Sequence, residues 1–146
     1  YVDKRNATRP VEMFSSAGKV GPAYCTGVGK AMMAFLDEEA LQGVLARQSF
    51  HRFMPNTLAS PERLRAELEA IRTCGFAFDR EEHEPGIICI AVPILARSGK
   101  VLGAVSVTST TARSSLAALE GLSATVKETA AQIADATESW RFPEQR

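Results

Sequence analysis

Three groups of residues in this chain carry types and spacings that could do chemistry. The first is Thr26-Gly-Val-Gly-Lys30, a glycine-flexible helix start followed by a lysine. Free N–H groups at such a start can hold an anion. It is not a Walker A loop: Tyr24 stands where the first glycine belongs and Ala31 where a Ser or Thr would bind magnesium. The alternative is a plain capped helix. The second group is Asp79, His83 within the acidic run Glu81, Glu82 and Glu84, and Cys89. These are N, O and S donors that could hold a metal, and the alternative is a solvated loop with an exposed histidine. The third group is the cysteines. Cys25 lies near a helix start, which can lower a thiol's pKa, and with His83 it would make a nucleophile and base. The alternative is that Cys25 and Cys74 are small core residues. His51 reads as a loop residue. Two histidines in the whole chain leave little material for His-based catalysis. No pair of carboxylates has a convincing spacing for acid–base work. No catalytic residue, metal ligand or cofactor is assigned.

The elements that must position these residues follow from periodicity. Residues 1–6 and 11–16 read weakly as strands, broken off by Gly18, Gly21 and Pro22. Thr26 caps a short helix over 28–35 and Asp37 a second, with Glu38 and Glu39 in its first turn and Leu41, Val44 and Leu45 as its apolar stripe. Residues 46–59 form a loop anchored by Phe50, Phe53 and Met54, a candidate lid. Ser60, Pro61 and Gly75 bound a helix carrying Leu64, Leu68 and Ile71. Residues 76–80 alternate as a strand. Residues 87–95 are a nearly continuous apolar run, as in a strand covered on both faces, and 101–109 return from a Ser98-Gly99 turn. Residues 114–140 read as one long helix with Leu116, Leu119, Leu122, Val126, Ala130 and Ile133 as its stripe. The class is α+β: an antiparallel sheet with helices packed on its faces.

Strand parity then sorts the side chains. A two-residue loop at Ser98-Gly99 pairs Arg97 with Lys100, Val92 with Val105, Ala91 with Ser106 and Cys89 with Thr108. One face is Ile88, Ile90, Val92, Val105 and Val107. The other is Cys89, Ala91, Ala104, Ser106 and Thr108, and parity adds Asp79 beside Ala77. A face of small residues with sparse polar groups is the make-up of a small-molecule pocket. It would equally let a helix pack closely, and parity alone leaves the two open.

Composition bounds the rest. The chain has 146 residues, enough for one domain with a core. Lys plus Arg and Asp plus Glu are 17 each, without the basic excess of a nucleic-acid grip. No run of about 18 apolar residues offers a membrane span. Three cysteines without a C-x-x-C argue against a disulfide framework or the usual zinc spacing, and point to a reduced, cytoplasmic setting. Tyr at position 1 suggests a domain of a longer protein.

PAYCTGVGKAMMAFL (residues 22–36), GFAFDREEHEPGIICIAVPI (75–94) and GAVSVTS (103–109) resemble signature segments of the effector-binding domain of IclR-type bacterial transcription regulators. SPERLRAELEAIRTCGF resembles the helix leading into the second. The resemblance implies a GAF-like fold for residues 1–146 and a separate N-terminal winged helix-turn-helix domain that binds DNA. It implies dimers or tetramers whose operator occupancy responds to a small carboxylate, keto acid or sugar acid. It implies ligand contacts from Gly27 and Val28 at the helix start, from Asp79, from Cys89 ten residues on, and from Ser106 and Thr108. Thr108 departs from the usual Ser but keeps the hydroxyl. Two rivals of other classes remain: a GAF-like thiol enzyme, such as a free methionine sulfoxide reductase using Cys89, and a purely structural dimerisation module.

Overall fold

A computed structural model of the chain describes residues 1–139. A three-residue 3-10 turn, Ala23–Cys25, leads into α1 (Gly27–Met33), α2 (Glu38–Leu45) and α3 (Pro61–Cys74). The strands β1 (Ala77–Arg80), β2 (Ile87–Leu95) and β3 (Val101–Thr110) follow, then α4 (Leu116–Glu120) and α5 (Ser123–Ser139). The strands form one antiparallel sheet in the order β1-β2-β3, so the architecture is α+β.

Caps fix the helix starts. The side chains of Thr26, Asp37, Ser60 and Ser115 each accept a backbone N–H from the first turn of α1, α2, α3 and α4. At the end of α3, Gly75 takes φ of 82°, a left-handed conformation that costs glycine little.

Residues 1–16 form neither of the two expected strands. Their chain is held instead by a few tethers, among them Gly18 N–H to Tyr1 O (2.9 Å) and Phe14 N–H to the Glu84 carboxylate (2.9 Å). The expected 114–140 helix is broken. Gly121 and Leu122 separate α4 from α5, and this turn rephases the stripe: Leu119, Val126, Ala130 and Ala134 are buried, while Leu122 and Ile133 are exposed. Trp140 lies outside the described residues.

The hairpin differs in its turn and agrees in its register. Ala96, not Arg97, pairs with Lys100 (N–H to O, 2.9 Å), leaving a three-residue loop closed by Gly99 at φ of 84°. β3 then carries a bulge: Leu95 faces Val101 but Ile94 faces Gly103, so Leu102 is the extra residue. The longer loop and the bulge cancel. Beyond them Val92 faces Val105, Ala91 faces Ser106 and Cys89 faces Thr108, as parity requires. On the other side Asp79 faces Cys89 and Ala77 faces Ala91.

The two faces are covered by different helices. α5 and α4 lay Val126, Ala130 and Leu119 on Phe78, Ile88, Ile90 and Val92. The opposite face packs Ala77 and Ala91 against the cluster built from Ala31 of α1 and Leu64, Leu68 and Ile71 of α3.

Candidate effector pocket

The start of α1 reaches the sheet because two glycines let it. A Cβ on Gly27 would lie 2.4 Å from Cys89 Sγ and 3.2 Å from Ala91 Cβ. A Cβ on Gly29 would lie 2.2 Å from the Ala23 carbonyl oxygen. Both distances are below any real contact, so the T-G-V-G sequence serves close packing on one side by the sheet and on the other by the 3-10 turn.

Lys30 does not serve a phosphate. Its side chain is fully buried, and Nζ lies 2.6 Å from Glu82 Oε2 and 3.1 Å from Glu67 Oε1. Glu82 is 2% exposed; its Oε2 also accepts the Arg80 N–H, while its Oε1 has no hydrogen-bond partner. Nothing in the acidic run distinguishes Glu82 from its solvated neighbours, so the sequence gives no sign of this buried pair.

Between α1 and the sheet lies a hollow bordered by all six sequence-derived residues: Gly27, Val28, Asp79, Cys89, Ser106 and Thr108. The two readings of the small-residue face are both realised, at different positions. Ala77 and Ala91 take the helix packing, whereas Cys89, Ser106 and Thr108 border the hollow. Thr26, His83, Glu84 and Ile87 complete its wall, and Tyr1, Met13 and Ser15 form a cover. The free volume inside it is about 30 Å³, room for one or two waters and well short of the roughly 300 Å³ at which ligand pockets begin. The cover is what fills the space. The loop 46–59, expected as a lid, borders none of it. That loop is latched instead to the end of β1 and the β1–β2 connection, through Asn56 Nδ2 to Arg80 O (2.8 Å) and Thr57 Oγ1 to Glu82 O (2.6 Å).

His83 fits neither the metal-ligand nor the solvated-loop reading. Its side chain is 14% exposed, so it is no solvated loop residue. It meets Phe14 edge-on at 5.4 Å and Phe53 at 4.7 Å between ring centroids. Among the described residues no three His, Cys, Asp or Glu side chains converge as metal ligands would.

Burial dominates the electrostatics. It pushes Asp79 up to about 7, with nearby Glu82 and Glu84 adding to the shift and the Glu82 N–H and Lys30 opposing it. Burial likewise pushes both Cys89 and Cys25 up to about 12. Both are therefore thiols at neutral pH rather than the thiolates a nucleophile requires. Cys74, expected as a small core residue, is exposed at the end of α3. The Tyr1 phenol is raised first by burial and then by Cys89, Asp79 and Glu84.

Residues 1–135 match the family model described as "Bacterial transcriptional regulator IclR C-terminal". The HTH-type transcriptional regulator KdgR of Dickeya chrysanthemi is 34% identical over 113 residues, covering 77% of this chain and 37% of that protein. The crystal structure of Thermotoga maritima IclR superimposes with a TM-score of 0.85 at 34% identity, covering 92% of this chain and 54% of that one. The inducer-binding domain of the PobR transcription factor from Acinetobacter, a double mutant in complex with 3-hydroxybenzoic acid, superimposes at 0.78 with 27% identity, covering 88% and 74%. The chain spans under half the length of the first curated relatives that it matches. No helix among the described residues is long and apolar enough to cross a membrane.

Proposed function

Because the chain belongs to the family of IclR-type transcriptional regulators, as their C-terminal effector-binding domain, we propose that the hollow between α1 and the sheet is where it senses its effector. One observation carries this: six residues drawn from α1 and all three strands border a single cavity beneath a cover that has no regular structure.

A small carboxylate, keto acid or sugar acid would set its acid group against neutral donors, the N–H groups at Gly27 and Val28 and the hydroxyls of Ser106 and Thr108. Residues 1–16 must move to admit it, because the volume now free is too small for a metabolite. Binding would thereby order or displace the segment on the N-terminal side. In the whole regulator that segment would lead to a winged helix-turn-helix domain on DNA, in a homodimer or homotetramer. An effector shifts such an equilibrium only by its different affinity for the two states.

The relatives are named as transcriptional regulators, and the chain is a regulator domain rather than an enzyme. The raised pKa values of Cys25 and Cys89 speak in the same direction against a thiol enzyme.

The test is a thermal-shift screen of carboxylic and sugar acids on the wild type and on Ser106→Ala/Cys89→Ala. The double variant should keep its fold and lose every ligand-induced shift. An undiminished shift in that variant would reject the assigned pocket. No shift in the wild type across the screen would favour the structural dimerisation module.

A further inference from the structure

Resting on the effector-pocket reading, we propose that Asp79 makes the site selective for a monocarboxylate bound together with one proton, which Asp79 itself carries.

The wall of the hollow determines this. Among the described residues it includes two acids, Asp79 and Glu84, and no lysine or arginine. The nearest buried cation, Lys30, already has both Glu82 and Glu67 in contact. A carboxylate effector therefore meets neutral donors on one side and an acid on the other. Asp79, Cys89 and Thr108 sit opposite one another across three strands. An acid group held over Cys89 thus lies roughly one strand spacing, ~5 Å, from Asp79. Two carboxylates that close in a dry site do not both stay ionised; one takes a proton.

The proton goes to Asp79 because its surroundings already favour the neutral form. It is 6% exposed. The groups that face it are Cys89 from β2, Glu82, His83 and Glu84 from the β1–β2 connection, Lys30 from α1, Cys25 from the 3-10 turn and Tyr1 from the cover. Of these, Glu82 and Glu84 raise it and only the Lys30 cation lowers it by charge. Asp79 Oδ1 accepts the Glu82 N–H at 2.9 Å, which a protonated carboxyl can still do through its carbonyl oxygen. Its O–H is then a donor for the effector's carboxylate, a short charge-assisted bond. Where Asp79 is ionised in the empty site, above about pH 7, one proton is taken from solvent for each effector bound; below that pH Asp79 already carries it. A phosphate or a dicarboxylate would bring a second negative charge to a wall with two acids and His83 as its one basic side chain among the described residues, so the site disfavours it.

The experiment is calorimetric titration of the whole chain with 3-hydroxybenzoate and with acetate, both ionised throughout, between about pH 6 and 8 in two buffers of different ionisation heat. Affinity should fall towards tenfold per pH unit above about 7, with proton uptake rising from near zero at the acid end of the range towards one per ligand at the alkaline end. The slope should vanish in Asp79→Asn, and inorganic phosphate should not compete. Binding that is independent of pH, or a slope retained in Asp79→Asn, overturns the proposal and leaves the pocket standing. Binding of neither probe at any pH overturns the proposal and leaves the pocket to the wider screen; binding undiminished in Ser106→Ala/Cys89→Ala removes the pocket reading and the proposal with it.

Discussion

The two faces of the sheet are built from opposite materials, although a helix covers each. On the α5 side Ile88, Ile90 and Val92 meet Val126 and Ala130 in an apolar cluster. On the α1 side the strands offer Ala77, Asp79, Cys89, Ala91, Ser106 and Thr108, and the helix arrives on Gly27, where a Cβ would lie only 2.4 Å from Cys89 Sγ. The first face is held by apolar burial, which is roughly proportional to area and indifferent to direction. The second is anchored by a buried ion pair, Lys30 with Glu82, and by hydrogen bonds around a hollow, which are directional and sensitive to occupancy. On the proposed reading the two faces divide the work: one holds the strand register, and the other carries the effector site.

Lys30→Met should have the largest effect. It leaves Glu82 and Glu67 without the cation between them, and removing one partner of a buried pair costs about 3–5 kcal/mol. Urea unfolding would measure it, and a loss below about 1 kcal/mol would show that the α1 side is not held by charge. Ile90→Ala, on the other face, should cost about 2–5 kcal/mol by opening a cavity in the close-packed cluster. Its neighbour Cys89→Ala should cost about 1 kcal/mol or less, since it enlarges a hollow already present. Equal costs at these adjacent positions would erase the contrast between the faces.

The Asp79 linkage is the more graded test. Its folded pKa is raised, so its contribution to stability is fully present below about pH 4 and lost as pH rises through about 7. The rise from the ordinary value of 3.8 to about 7 bounds the loss on the order of 4 kcal/mol, and less where water reaches the hollow. Thermal unfolding of the ligand-free protein from pH 4 to 8 should show this decline, and Asp79→Asn should flatten it.

Much of the site was legible because strand parity is a strict period of two. Counting outward from Ser98-Gly99 places Cys89 opposite Thr108, and the structure agrees even though the turn has three residues, because Leu102 bulges and restores the count. That agreement rests on a compensation that no local signal announced. Caps were equally legible: Thr26, Asp37 and Ser60 each do what their side chains suit them for. Residues 1–16 were misjudged. Their β-prone composition suggested strands, but no neighbouring strand pairs with them here, and the segment lies over the hollow instead. Glu82 and His83 sit in an acidic run that looks solvated, and only the neighbours brought by α1, Phe14 and Phe53 bury them.

The amino-acid order alone thus determined the α+β class, the starts of α1, α2 and α3, and which strand residues share a face. These depend on local conformational preference and on a period that the backbone enforces. Only the tertiary structure decided that Gly27 touches Cys89, that Lys30 is locked to Glu82, and that Asp79 is buried enough to hold a proton near neutral pH. Those outcomes depend on distances between segments far apart in the chain, and burial, the cause of every large shift here, is a property of the packed molecule and of no residue by itself.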